Sequence, residues 1–165
     1  MLRDLIVYFK NTGKKRFILT TFFLLITLQF SGSFIIKYFV GDDILSVDFL
    51  EGKSLLYIFI TSVIIGPLIE TFLFQYCVIE LILYFKKNVS FKILALFLSA
   101  LLFGLAHYYN IYYIVFTLII GFVFAFIYLI GKERNDTNGF RITWLAHIVM
   151  NLIAFVYNDL LFPMV

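Results

Sequence analysis

The chain contains two histidines, His107 and His147, and each sits in a run of residues that is otherwise apolar. Glu70 lies in another such run, between Ile69 and Thr71, and Asn151 follows His147 at a spacing of four. Residues four apart share one face of a helix, so His147 and Asn151 are expected to act side by side. One carboxylate, two imidazoles and one carboxamide make a set suited to hydrolysis. The carboxylate and one imidazole can take a proton from water, and the other imidazole and the amide can donate to the oxyanion that forms. The serines and threonines of these runs have no spacing tied to the histidines, so no serine-centred triad competes with this reading.

The segments that must carry these residues are membrane spans. The composition is 63% hydrophobic and 14% charged, with 22 phenylalanines in 165 residues. A soluble domain has about 45–50% apolar and about 25% charged residues, so a soluble surface cannot be built. An ionisable group in the hydrocarbon layer is costly, and by default it marks a site. A span needs about 20 mainly apolar residues. Five segments satisfy this: Phe17 to Val40, Leu55 to Phe85, Phe91 to Tyr109, Ile111 to Ile130, and Ile142 to about Phe162. The second is too long for one straight crossing, and Gly66-Pro67 in its middle predicts a kink or break. Leu2, Leu5, Ile6 and Phe9 are spaced as the apolar stripe of a short amphipathic helix on the membrane surface. The apolar run after Lys14, Lys15 and Arg16 is too long for the core of a secretion signal, so a retained span is expected. The fold class is therefore all-α, a polytopic helical bundle forming one domain over residues 1–165.

Charge orients the bundle. Eleven lysines and arginines fall at one end (Arg3, Lys10, Lys14, Lys15, Arg16, Lys86, Lys87, Lys92, Lys132, Arg134, Arg141) and two at the other (Lys37, Lys53). The positive-inside rule then places the N-terminus in the cytoplasm and the C-terminus outside. Tyr108, Tyr109, Tyr112 and Tyr113 read as an interfacial aromatic belt at the far end. No basic stripe suits nucleic acid, and the single Cys77 precludes a disulfide framework within the chain. Depth supports convergence. Glu70 is 16 residues from Lys86 and His107 is 15 from Lys92, so each sits roughly 23 Å from the cationic boundary. His147 is only six residues past Arg141. It can reach that level if Arg141 snorkels, if the loop over residues 131–141 dips inward, or if the second span bends.

Each polar residue also has a structural use when taken singly. A glutamate can join helices or relay protons, a histidine near a span end can bond at the interface, and asparagine often bridges helices. Glu80, beside Lys86 and Lys87, is assigned no catalytic role. Gly104 is expected to permit close helix approach, and Cys77 to fill the core. A small transporter using Glu70 as a proton site is disfavoured because no inverted repeat is visible.

Three short motifs sharpen the reading. They are Pro67-Leu68-Ile69-Glu70-Thr71-Phe72-Leu73-Phe74-Gln75, then Phe103-Gly104-Leu105-Ala106-His107, then His147-Ile148-Val149-Met150-Asn151. In order and spacing, over residues 66–151, they resemble the motifs of the type II CAAX prenyl endopeptidases and their bacterial relatives, the CPBP membrane proteases, a group that includes abortive-infection and bacteriocin-processing proteins. The resemblance implies that Glu70 and His107 activate the water and that His147 and Asn151 stabilise the oxyanion, with Pro67, Thr71, Gln75 and Phe103 in support. It implies no metal in the favoured form, with zinc on Glu70, His107 and His147 as the alternative. The family has a second Glu at the position of Thr71 and an Arg at that of Gln75. Here a neutral Thr71–Gln75 hydrogen-bonded pair is expected to replace that ion pair. The resulting expectation is an intramembrane endopeptidase of a bacterial plasma membrane, acting on a membrane-associated peptide or protein. The alternative is a non-catalytic scaffold or bacteriocin-immunity-type protein with the same fold.

Overall fold

A computed structural model describes residues 2–41 and 52–161. Among the described residues every regular element is a helix: α1 (Leu2–Asn11), α2 (Lys14–Val40), α3 (Leu55–Phe85), α4 (Val89–Ala106), α5 (Ile111–Glu133) and α6 (Gly139–Leu161). Helices α2 to α6 are the five that are long and apolar enough to span a bilayer. The acidic segment at residues 42–51 and the end of the chain after residue 161 lie outside the described residues.

Side chains from the loops set the helix starts. Asn88 Oδ1 accepts from Phe91 N at 3.0 Å, Asn110 Oδ1 from Tyr113 N at 2.8 Å, and Asn138 Oδ1 from Arg141 N at 3.0 Å. Each N-cap contributes about 1 kcal/mol. These caps start α4 and α6 two to three residues earlier than the apolar runs alone suggest. Helix α4 ends at Ala106 because His107 leaves helical geometry, with φ −99 and ψ 50. Tyr108 and Tyr109 therefore belong to a tight turn rather than to the span.

Helix α5 is the most buried span and α2 the least. The main core joins Phe17 and Leu25 of α2, Phe103 of α4, Phe124 and Ile127 of α5, and Ala146 and Met150 of α6. Small residues allow α4 and α5 to approach closely. A Cβ on Gly104 would lie 2.8 Å from Leu118 Cβ, and one on Gly121 would lie 3.1 Å from Ala100 Cα. Large apolar side chains such as Leu19, Phe23, Phe34 and Phe97 cover the outward faces, as a lipid-facing surface requires.

Two regions refine the sequence reading. Helix α1 is docked on the bundle as well as amphipathic. Ile6 is buried in the main core, Phe9 meets Phe17 and Phe126 edge-on, and Arg134 donates to the carbonyls of Phe9, Lys10 and Thr12 at the end of α1. The loop between α5 and α6 turns inward. Thr137 Oγ1 donates to Gly131 O at 3.0 Å, and Gly139 abuts α5 so closely that a Cβ there would lie 2.6 Å from Tyr128 O. Helix α6 thus begins about one turn inside the end of α5. This fold-back, one of the three routes considered from the sequence, carries His147 deep enough to reach Glu70.

Candidate active site

Helix α3 is irregular where it carries Glu70. Ordinary α-turns over Gly66–Glu70 are flanked by wider π-helical turns over Phe59–Ile65 and Thr71–Cys77. Wide turns of this kind cluster at functional sites. The helix is continuous through Gly66 and Pro67, without a break. The amide of Gly66 donates to Thr61 O, and in that register the carbonyl of Ser62 would look to Pro67, which has no N–H. Asn151 Nδ2 supplies the missing donor from α6, at 2.7 Å from Ser62 O. One N–H of Asn151 therefore ties α6 to the backbone of α3, eight residues before Glu70.

Three side chains converge from three helices. Glu70 Oε2 lies 3.7 Å from His107 Nε2 and 3.5 Å from His147 Nε2. The side chains are graded in exposure, at 29% for Glu70, 15% for His107 and 4% for His147. The carboxylate is thus the accessible member and His147 the enclosed one. Both separations exceed a direct hydrogen bond.

Packing fixes the two rings. His107 Nδ1 is 2.7 Å from Phe103 O, one turn back. A carbonyl only accepts, so Nδ1 carries the proton, and the Nε2 of neutral His107 presents a lone pair to the site. The Phe103 ring is buried against both imidazoles, with centroids 4.6 Å from His107 and 5.6 Å from His147. Phe124 of α5 lies 4.5 Å from the His147 ring. Tyr113 stacks on His107 at 6.0 Å and 13°, and Tyr109 meets Tyr113 edge-on at 5.0 Å. Burial, and then the charge of nearby Glu70, push the Tyr109 phenol up. The sequence reading placed both tyrosines in an interfacial belt and so missed them as walls of this site. The available signal was Asn110, which caps the helix three residues before Tyr113 and brings it back over His107.

The expected Thr71–Gln75 pair is not formed. Both residues are fully buried, but the Thr71 hydroxyl faces His147 Nδ1 at 3.4 Å. The Gln75 amide has no hydrogen-bond partner among the described residues. The two lie on a stretch of wide turns, where a spacing of four no longer stacks one side chain above the other. No group of three His, Cys, Asp or Glu side chains among the described residues is arranged to hold a metal ion.

No curated protein and no solved structure matches the chain significantly. The family described as type II CAAX prenyl endopeptidase Rce1-like matches residues 52–153, which include Glu70, His107, His147 and Asn151. With more than half of its residues matched, the chain belongs to the Rce1-like family of type II CAAX prenyl endopeptidases, a family of membrane proteases.

Proposed function

We propose that this protein is an intramembrane endopeptidase that cleaves a membrane-associated peptide or protein with a water activated by Glu70 and His107. The observation that carries this reading is the meeting of one carboxylate with two imidazole Nε2 atoms at 3.5 and 3.7 Å inside an apolar bundle. Each separation is longer than an ordinary direct bond, which leaves the three atoms free to share a water held beside them.

The lone pair of His107 Nε2 and the Glu70 carboxylate accept the two protons of the water, which sharpens its oxygen as a nucleophile. His147 and the second N–H of Asn151 donate to the oxyanion that develops on the scissile carbonyl. The proton taken from water passes to the leaving amine, so the hydrolysis balances without a further reagent. The reading is metal-free, and no step runs through zinc. The cationic end of the bundle is assigned to the cytoplasm, with both termini placed as that orientation requires.

The test compares the membrane proteomes of cells carrying the wild-type chain, Glu70→Ala or His107→Ala. An uncut precursor should accumulate with both variants while each remains folded and inserted. Full retention of biological function by both would favour a non-catalytic scaffold.

A further inference from the structure

We propose that Thr71 is a positioning residue that donates to His147 Nδ1 and so, with Glu70 facing Nε2, holds the neutral ring with its proton on Nε2. This deepens the protease reading and rests on it for its functional consequence. Neutral His147 has one N–H to place and two neighbours to satisfy, Thr71 Oγ1 at 3.4 Å from Nδ1 and Glu70 Oε2 at 3.5 Å from Nε2. His107 already presents its Nε2 lone pair to Glu70 Oε2, so a proton on His147 Nδ1 would leave three acceptors facing one another with no donor among them. A hydroxyl proton donated by Thr71 to Nδ1 places the imidazole proton on Nε2, where it points at the carboxylate and the reacting oxygen.

The threonines of the bundle supply a second observation. Helical threonines commonly return their hydroxyl proton to the carbonyl four residues back. Thr27, Thr61, Thr117 and Thr143 do so, donating to Phe23 O, Tyr57 O, Tyr113 O and Gly139 O at 2.7–2.9 Å. The equivalent carbonyl for Thr71 is that of Pro67, and Thr71 makes no such return bond. Its hydroxyl turns instead to His147. The titratable groups facing His147 are Glu70 of α3 and His107 of α4, and its remaining close neighbours, Phe103 and Phe124, are apolar rings.

The two neutral imidazoles thereby take opposite tautomers. His107 is held as an acceptor by Phe103 O, and His147 is held as a donor by Thr71 and Glu70 together.

The test is nitrogen-15 NMR of the imidazoles in the full chain reconstituted in nanodiscs. Only two histidines contribute, and His147→Gln identifies its signals. Wild type should show His147 protonated at Nε2 with an Nδ1 shift displaced by an accepted hydrogen bond, Thr71→Val should move the Nδ1 shift to that of an unbonded imidazole nitrogen, and Thr71→Ser should restore the wild-type pattern. Cleavage of the precursor should fall about 10- to 100-fold in kcat with Thr71→Val, with KM little changed. An Nδ1-protonated His147 in the wild type, or a Thr71→Val pattern identical to wild type, overturns the proposal. The spectrum needs no substrate, so the proposal stands or falls independently of the Glu70→Ala proteomics.

Discussion

Glu70 and Glu80 are ten residues apart on α3, and their surroundings are opposite. Glu80 is spent: Tyr128 Oη donates to it at 2.6 Å, and Lys132 pairs with its carboxylate. Glu70 meets no cation of fixed charge among the described residues. It faces two imidazole nitrogens beyond direct hydrogen-bond reach. A carboxylate already paired with a lysine and a phenol is a structural tie between α3 and α5. A carboxylate held near imidazoles, with a gap to each, has acceptor capacity left for a water. Residue type is the same in the two places, and the partners decide the role.

The strongest way to break this contrast is to neutralise each carboxylate. Glu70→Gln, or removal of its partner in His107→Ala, should lower precursor cleavage by ~10^4-fold or more and leave thermal melting close to wild type. Glu80→Gln should do the reverse, retaining cleavage and losing about 1 kcal/mol of stability, since its ion pair is partly exposed.

Asn151→Ala should affect both properties. Loss of an oxyanion donor should reduce kcat by about 10²–10³-fold, and the orphaned Ser62 carbonyl should cost about 1–3 kcal/mol, read by denaturation in detergent. A stability loss without a rate loss would reduce Asn151 to an anchor for α3. A smaller effect, opposite in sign, is expected at Gln75. Gln75→Leu removes a buried amide that has no partner and should raise stability by about 1 kcal/mol while leaving cleavage intact. The smallest effect should come from metal chelation, which is expected to leave the cleavage rate unchanged.

Much of this arrangement was legible before any coordinates. Long apolar runs fix the five spans because the bilayer sets helix length, and intramembrane ionisable residues announce themselves by their cost. Glu70 and His107 do meet, as their depth implied, and His147 joins them although its distance from Arg141 alone left it too shallow. What sequence could not reveal depends on tertiary approach. The depth of His147 rests on Gly139 lying against the backbone of α5, which no periodicity encodes. The partner of Thr71 could not be read from a spacing of four, because wide turns rotate α3 away from that register. Asn151 read as a donor to substrate, yet one of its N–H groups is spent on Ser62 O, which Pro67 leaves without a backbone donor. Arg134 read as a boundary charge, and it binds the end of α1.

The most direct test of the account uses the purified chain in nanodiscs with the precursor that accumulates in Glu70→Ala membranes. Wild type and Glu80→Gln should both cleave it, and Glu70→Gln should not, with wild-type and Glu70→Gln melting curves superimposed. Cleavage by Glu70→Gln at the wild-type rate would contradict the assignment of Glu70 as the group that activates water.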